Sequence, residues 1–180
     1  MPVNVEIKAR VSNPLRLQTL AQALSDDAGT LLQQDDTFFH TPQGRLKLRT
    51  LAPTHGELIY YERADAAGPR PSRYEVAPTS TPAALLATLA AALGVRGVVR
   101  KQRRVYLLGQ TRVHIDAVEG LGTFVELEWG MQPGQTHADG VRAVAELMQR
   151  LEITEAELIA GAYIDLLGTA EGPGRQDGAR

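Results

Sequence analysis

The stretch "VHIDAVEGLGTFVELEWG", Val113–Gly130, contains two alternating runs on either side of a glycine turn, "EGLG" (Glu119–Gly122). In a β-strand, residues i and i+2 share a face. The first run therefore places His114 and Asp116 together. The second places Phe124, Glu126 and Glu128 on one face and Val125, Leu127 and Trp129 on the other. Taken alone, such a polar face is a solvent face. Two carboxylates at i, i+2 nevertheless ask for a cation or a metal, so the fold depends on what the other strands carry.

Sorting by parity gives more of the same. "NVEIKAR" puts Asn4, Glu6 and Lys8 on one face, against Val5, Ile7 and Ala9. "GRLKLRTL" puts Arg45, Lys47 and Arg49 opposite Leu46, Leu48 and Thr50. "LIYYERAD" sets Tyr61 and Arg63 opposite Tyr60 and Glu62, and "VVRKQRRVYLL" pairs Lys101 with Arg103. The parity of "SRYEV" is ambiguous, so Arg73 and Glu75 could also face inward. The charges are segregated by strand, cations on some and carboxylates on others. Three cations in register repel one another unless an anion sits among them.

The expected strands are 3–10, 34–40, 45–51, 57–64, 72–77, 97–108, 112–118 and 123–130, separated by "TPQG", "PTHG", "AAGPRP" and "EGLG". About eight strands with few helices predict an α+β fold whose antiparallel sheet is closed or nearly closed, since closure removes edges and creates an inside. Helices are expected after Asn13-Pro14, after Thr81-Pro82 up to Gly94, and along the stripe Val141, Val144, Leu147, Met148 and Leu151. Thr154 with Glu157 reads as a capping box for a last short helix. These apolar stripes are core, not ligand sites.

At 180 residues the chain reads as one domain, 1–168, followed by a glycine-rich tail, 169–180, expected to be disordered. A formal net charge of -2 gives no reason to expect a nucleic-acid or membrane-surface partner. The absence of cysteine excludes disulfides and thiolate metal sites. Residues 1–30 lack the pattern of a secretory signal, and no apolar run reaches the roughly 18 residues of a membrane span. The expected location is the cytoplasm. A homodimer is one oligomeric state the sequence allows.

If the charged faces converge, Lys8, Arg45, Lys47, Arg49, Arg63, Lys101 and Arg103 meet Glu6, Asp116, Glu126 and Glu128. The surplus of positive charge suits a highly anionic ligand such as a triphosphate. Arginine offers a planar fork to phosphate oxygens and lysine a point charge. The carboxylates are useful to such a ligand as holders of Mg²⁺ or Mn²⁺. A purely structural barrel would bury the cations without an anion, at high cost.

At this point the chain resembles the CYTH domains, the triphosphate tunnel metalloenzymes. That family includes class IV adenylate cyclases and thiamine triphosphatases. The blocks "NVEIK", "DTFFHTPQGRLKLRT", "GELIYYERAD", "VVRKQRRVYL", "VHIDAVEGLGTFVELEW" and "AYIDLL" follow the family order over residues 3–168, with wording closest to the class IV adenylate cyclase branch. The resemblance implies an eight-stranded antiparallel tunnel with helices packed outside. It implies phosphate binding by Lys8, Arg45, Lys47, Arg49, Arg63, Lys101 and Arg103, and metal binding by Glu6, Asp116, Glu126 and Glu128. Lys8, Arg63 and Glu126 would act in catalysis. His114, Tyr61 and Tyr163 are weaker candidates. The departure is Asn4, where the family has glutamate. An amide oxygen can coordinate without adding charge, so weaker metal binding is expected.

The function expected is metal-dependent phosphoryl transfer on a triphosphate. Hydrolysis of an inorganic or organic triphosphate (tripolyphosphate, ATP or thiamine triphosphate) stands slightly ahead, because no adenine-reading residues are identifiable. The alternatives are a class IV adenylate cyclase, making cyclic AMP and pyrophosphate, and a non-catalytic polyphosphate- or nucleotide-binding module.

Overall fold

The computed structural model describes residues 1–25 and 28–170. Its elements in chain order are β1 (Val3–Arg10), α1 (Pro14–Leu24), β2 (Thr30–Phe39), β3 (Arg45–Ala52), β4 (His55–Arg63), β5 (Arg70–Thr79), α2 (Pro82–Leu93), β6 (Val95–Leu108), β7 (Thr111–Val118), β8 (Gly122–Gly130), α3 (His137–Arg150) and α4 (Tyr163–Ala170). The strands form a closed barrel in the order β1-β5-β4-β3-β2-β6-β7-β8. Every neighbouring pair is antiparallel, and β1 closes the ring by pairing with both β5 and β8. The expected eight strands are all present. Strand β2 starts four residues earlier than its alternation suggests, because Thr30–Gln33 pair with the long β6 (Thr30↔Val105, Gln33↔Gln102).

The apolar core lies outside the barrel wall. Val5, Ile7 and Ala9 of β1, Tyr106 of β6, Val113 and Ile115 of β7, and Val125, Leu127 and Trp129 of β8 pack against Leu17 and Ala21 of α1 and Val144, Leu147 and Met148 of α3. Each fully buried large side chain contributes about 1.5–3 kcal/mol. With the apolar parity spent on this outer layer, the polar parity is left to face the lumen. Helix α3 approaches so closely that a Cβ on Gly140 would lie 2.4 Å from Val5 Cγ2 and 2.8 Å from Trp129 Cε3. Its start is fixed by a Thr136–Asp139 capping box, and that of α1 by Asn13, which accepts from the Arg16 N–H.

The Thr154–Glu157 capping box opens only one 3-10 turn, Glu155–Glu157, and not the expected helix. The chain then joins the barrel, with Ile159 N–H donating to Lys8 C=O, and turns at Gly161 (φ 78°) into α4. Tyr163 and Ile164 of α4 pack on Phe38, Val99 and Phe124, which places α4 across one end of the barrel. The predicted tail, 169–180, lies outside the described residues apart from 169 and 170, which end α4. Among the described residues no helix is long and apolar enough to cross a membrane.

Candidate active site

Inward residues from all eight strands line a cavity of about 430 Å³. The register stacks unlike strands against one another. Lys8 on β1 lies opposite Glu126 on β8, and Glu6 opposite Glu128. His114 on β7 lies opposite Glu126, and Arg112 opposite Glu128.

The acidic wall comprises β1, β7 and β8. His114, Glu126 and Glu128 each present a ligand atom within 4.8 Å of the others. His114 Nδ1 lies 3.8 Å from Glu126 Oε2 and 3.7 Å from Glu128 Oε1, and it has no hydrogen-bond partner. Burial and the nearby Arg103 lower the His114 pKa, which favours the neutral imidazole, against the pull of the Glu128 and Glu126 carboxylates. Burial opposes ionisation of Glu126, but Lys8 and Arg103 outweigh it and hold the carboxyl well below its usual range. The Glu128 pKa is also lowered, with burial outweighed by His114 and Arg112. Glu6 behaves differently: burial and Glu128 raise its pKa, against the pull of Arg63. Asn4, one step along β1 from Glu6, buries its Oδ1 without a partner. The imidazole nitrogen and the two ionised carboxylates form a donor set that fits a divalent cation, and the unpartnered Asn4 oxygen lines the same lumen.

The basic wall comprises β2, β3 and β6 and is organised around two buried aspartates. Asp36 accepts from Lys47 Nζ at 2.8 Å and from Arg49 Nε and Nη2 at 2.8 and 2.9 Å. Asp116 accepts from Arg103 Nε and Nη2, both at 2.6 Å, from Lys101 Nζ at 3.2 Å, and from the Tyr163 hydroxyl at 3.0 Å. Burial and the neighbouring Arg49 bring Lys47 down to about 7, although Asp36 pulls the other way.

At the α4 end, Lys8 contacts Glu126 at 3.1 Å and sits over the Tyr163 ring at 3.7 Å. Burial lowers it to about 8. Arg63 binds Glu6 and donates to Gly161 C=O at 2.8 Å. Arg70, also inward by parity, is 3% exposed; it donates to Ala66 and Gly68 carbonyls, and its Nε and Nη2 have no partner.

The structure brings together on the lumen Asn4, Glu6, Lys8, Lys47, Arg49, Tyr61, Arg63, Lys101, Arg103, His114, Glu126, Glu128 and Tyr163. Two of the sequence candidates do not line it. Arg45 turns to Asp65 and Asp165 at the α4 end, at 2.6 and 2.8 Å. Asp116 is fully buried, and its oxygens are taken by Lys101, Arg103 and Tyr163. Arg73 and Glu75 are on the outside of β5, whose inward residues are Ser72, Tyr74 and Val76. Sequence reading missed Asp36, Arg70 and Arg112. Parity on "LLQQDDTFF" would have grouped Asp36 with Gln34 and Phe38, and parity on "TRVHIDAV" would have joined Arg112 to His114.

Residues 3–163 match the CYTH domain family. The chain is 29% identical over 140 residues to the adenylate cyclase CyaB of Aeromonas hydrophila, covering 73% of this chain and 70% of that one. Among solved structures it is similar to the PH1012 protein of Pyrococcus horikoshii OT3 (TM-score 0.77, 22% identity, covering 91% of this chain and 98% of that one). It is also similar to the protein HpAC1 of Hippeastrum, an adenylyl cyclase candidate described as having a dominant triphosphatase activity (TM-score 0.64, 14% identity, 94% and 96% covered). The strand order, the polar lumen and the match over nearly the whole described chain agree, and the protein belongs to the CYTH domain family.

Proposed function

We propose that the protein is a divalent-metal-dependent enzyme that hydrolyses a triphosphate inside the barrel. The observation that carries the reading is a single lumen in which a wall of Lys47, Arg49, Lys101 and Arg103 faces a wall of His114, Glu126 and Glu128. The four cations bind phosphate oxygens, the arginines through paired N–H groups and the lysines as point charges. Lys8 and Arg63 extend the positive charge toward the α4 end. Glu126, Glu128 and His114 would hold Mg²⁺ or Mn²⁺, with Glu6 and Asn4 beside them. A bound divalent cation would offset phosphate charge and polarise a phosphoryl oxygen. Asp116 serves the site through Arg103 and Lys101, and Arg45 through the Tyr61 side of the lumen, where its guanidinium lies 5.9 Å from the ring centre.

A second reading is adenylate cyclase chemistry, in which the ribose 3′-hydroxyl attacks the α-phosphorus. The curated relative from Aeromonas hydrophila carries that name. One feature of the lumen also favours an organic triphosphate: Leu32, Leu51, Val76 and Val105 line the cavity together with the charged groups. Inorganic tripolyphosphate would leave that apolar surface uncovered. The test is a substrate panel of tripolyphosphate, ATP and thiamine triphosphate with Mg²⁺ and Mn²⁺, scoring phosphate, pyrophosphate and cyclic AMP separately. Phosphate release supports hydrolysis, cyclic AMP with pyrophosphate supports the second reading, and binding without product leaves a binding module.

A further inference from the structure

The basic wall contains one arrangement twice. On β3, "KLR" presents Lys47 and Arg49 to the lumen. On β6, "KQR" presents Lys101 and Arg103. Each Lys-x-Arg pair is gripped by one aspartate from the adjacent strand, Asp36 for the first and Asp116 for the second. Asp36 is 2% exposed, and among the described residues it is the only carboxylate within 4 Å of Lys47 Nζ.

We propose that Asp36 is a positioning residue for phosphate binding, holding Lys47 and Arg49 together as one charged unit aimed into the lumen. The proposal rests on the reading of the lumen as a phosphate site. Lys47 is faced by Arg49 and Arg45 on its own strand, Asp36 on β2, Lys101 on β6 and Tyr61 on β4, with Asp165 of α4 engaged by Arg45. Without Asp36 this surround is cationic and buried. Arginine cannot give up its proton under these conditions, so repulsion is relieved by Lys47 losing one. Below pH 7, where the first phosphate-binding pair now presents two charges, it would then present one, and the Arg49 fork would lose the two bonds that fix its plane. Asp36 opposes both changes, since its charge favours the ammonium form of Lys47.

A purely structural role for Asp36 and this positioning role differ in their pH dependence. Tripolyphosphate binding is measured by calorimetry with Mg²⁺ from pH 5.5 to 9, for wild type, Asp36→Asn, Lys47→Arg and the double variant. Relative to wild type, Asp36→Asn is expected to bind at least tenfold more weakly near pH 6–7, where Lys47 keeps its charge only beside Asp36, and the deficit is expected to shrink toward pH 9, where Lys47 is neutral in both ligand-free proteins. Removing an anion from the wall strengthens binding at every pH and does not alter this slope. In the double variant the arginine stays charged, so the pH-dependent part of the loss disappears. A constant affinity ratio between Asp36→Asn and wild type across the range overturns the proposal. So does a folded double variant that keeps the pH-dependent loss near pH 6–7. If Asp36→Asn does not fold, Asp36→Glu decides: the charge is kept but the oxygens are displaced, so binding weakens at every pH with an unshifted profile, and unchanged affinity overturns positioning. A wild-type protein that does not bind tripolyphosphate overturns the phosphate-site reading itself, an outcome separate from a variant that binds as wild type does.

Discussion

Raising the pH from 7 to 9 should stabilise the ligand-free protein. Lys8 is buried and the Lys47 side chain only 13% exposed, and their folded values, about 8 and about 7, are far below the ordinary 10.5. A base depressed in the folded state binds its proton less there than in the unfolded chain. The unfolded chain therefore carries more protons between the two values, and stability rises with pH across that window. From pH 7 to 9, Lys47 passes from half-charged to neutral and Lys8 follows it. At about 1.4 kcal/mol per unit, the two together contribute about 3–4 kcal/mol. Lys101, depressed by burial and Arg103, adds in the same direction. For a chain of this size that is a rise in Tm of about 7–14 °C. The assay is scanning calorimetry of chelator-treated protein at pH 7, 8 and 9. Lys47→Met should remove the larger part of the rise. Saturating tripolyphosphate should flatten it, because a bound anion keeps both lysines charged. A Tm that stays constant or falls between pH 7 and 9 in the ligand-free protein would refute the reasoning.

Other expectations follow from the two walls. Glu126→Gln or Glu128→Gln should largely abolish turnover and raise the metal requirement at least tenfold, while circular dichroism stays native; near wild-type rates at low metal would show that these are not ligands. Asn4→Glu should lower the Mg²⁺ and Mn²⁺ concentrations for half-maximal activity, since it adds charge at an unpartnered buried oxygen; unchanged midpoints for both metals would put Asn4 off the metal site. Arg103→Ala should destabilise the fold by about 3–5 kcal/mol in denaturant melts, because Asp116 is fully buried and loses both guanidinium bonds. A loss under about 1 kcal/mol would mean that Lys101 and Tyr163 suffice for Asp116.

Most of the barrel was legible because its two faces obey opposite rules. Val125, Leu127 and Trp129 are on the core side and Glu126 and Glu128 on the lumen side, so period-two alternation alone assigned β8 and, likewise, β1, β3 and β7. Strand β5 was legible as a strand but not in its facing, because "SRYEV" alternates polar with polar, and only its pairing with β4 puts Tyr74 inward. The early start of β2 was hidden for a related reason: "TLLQ" has no alternation, and β6 supplies its register. The site was legible as residue types but not as pairings. Asp36 stands next to Asp35 in the sequence, and only its shared parity with Gln34 and Phe38 separates the buried carboxylate from the exposed one. Asp116 shares the parity of His114, and the resemblance implies a metal ligand there, but its partners are Arg103, paired with it from the adjacent β6, and Tyr163 of α4, 47 residues away in sequence.

The central claim is that metal and phosphates meet inside the barrel. The direct measurement is an anomalous difference map from crystals grown with Mn²⁺ and a non-hydrolysable tripolyphosphate analogue. The account predicts a manganese peak within coordinating distance of Glu126 and Glu128, with phosphate density on Lys47, Arg49, Lys101 and Arg103. Manganese bound elsewhere, or phosphate density confined to the outer surface while the lumen ion pairs stay closed, would contradict it.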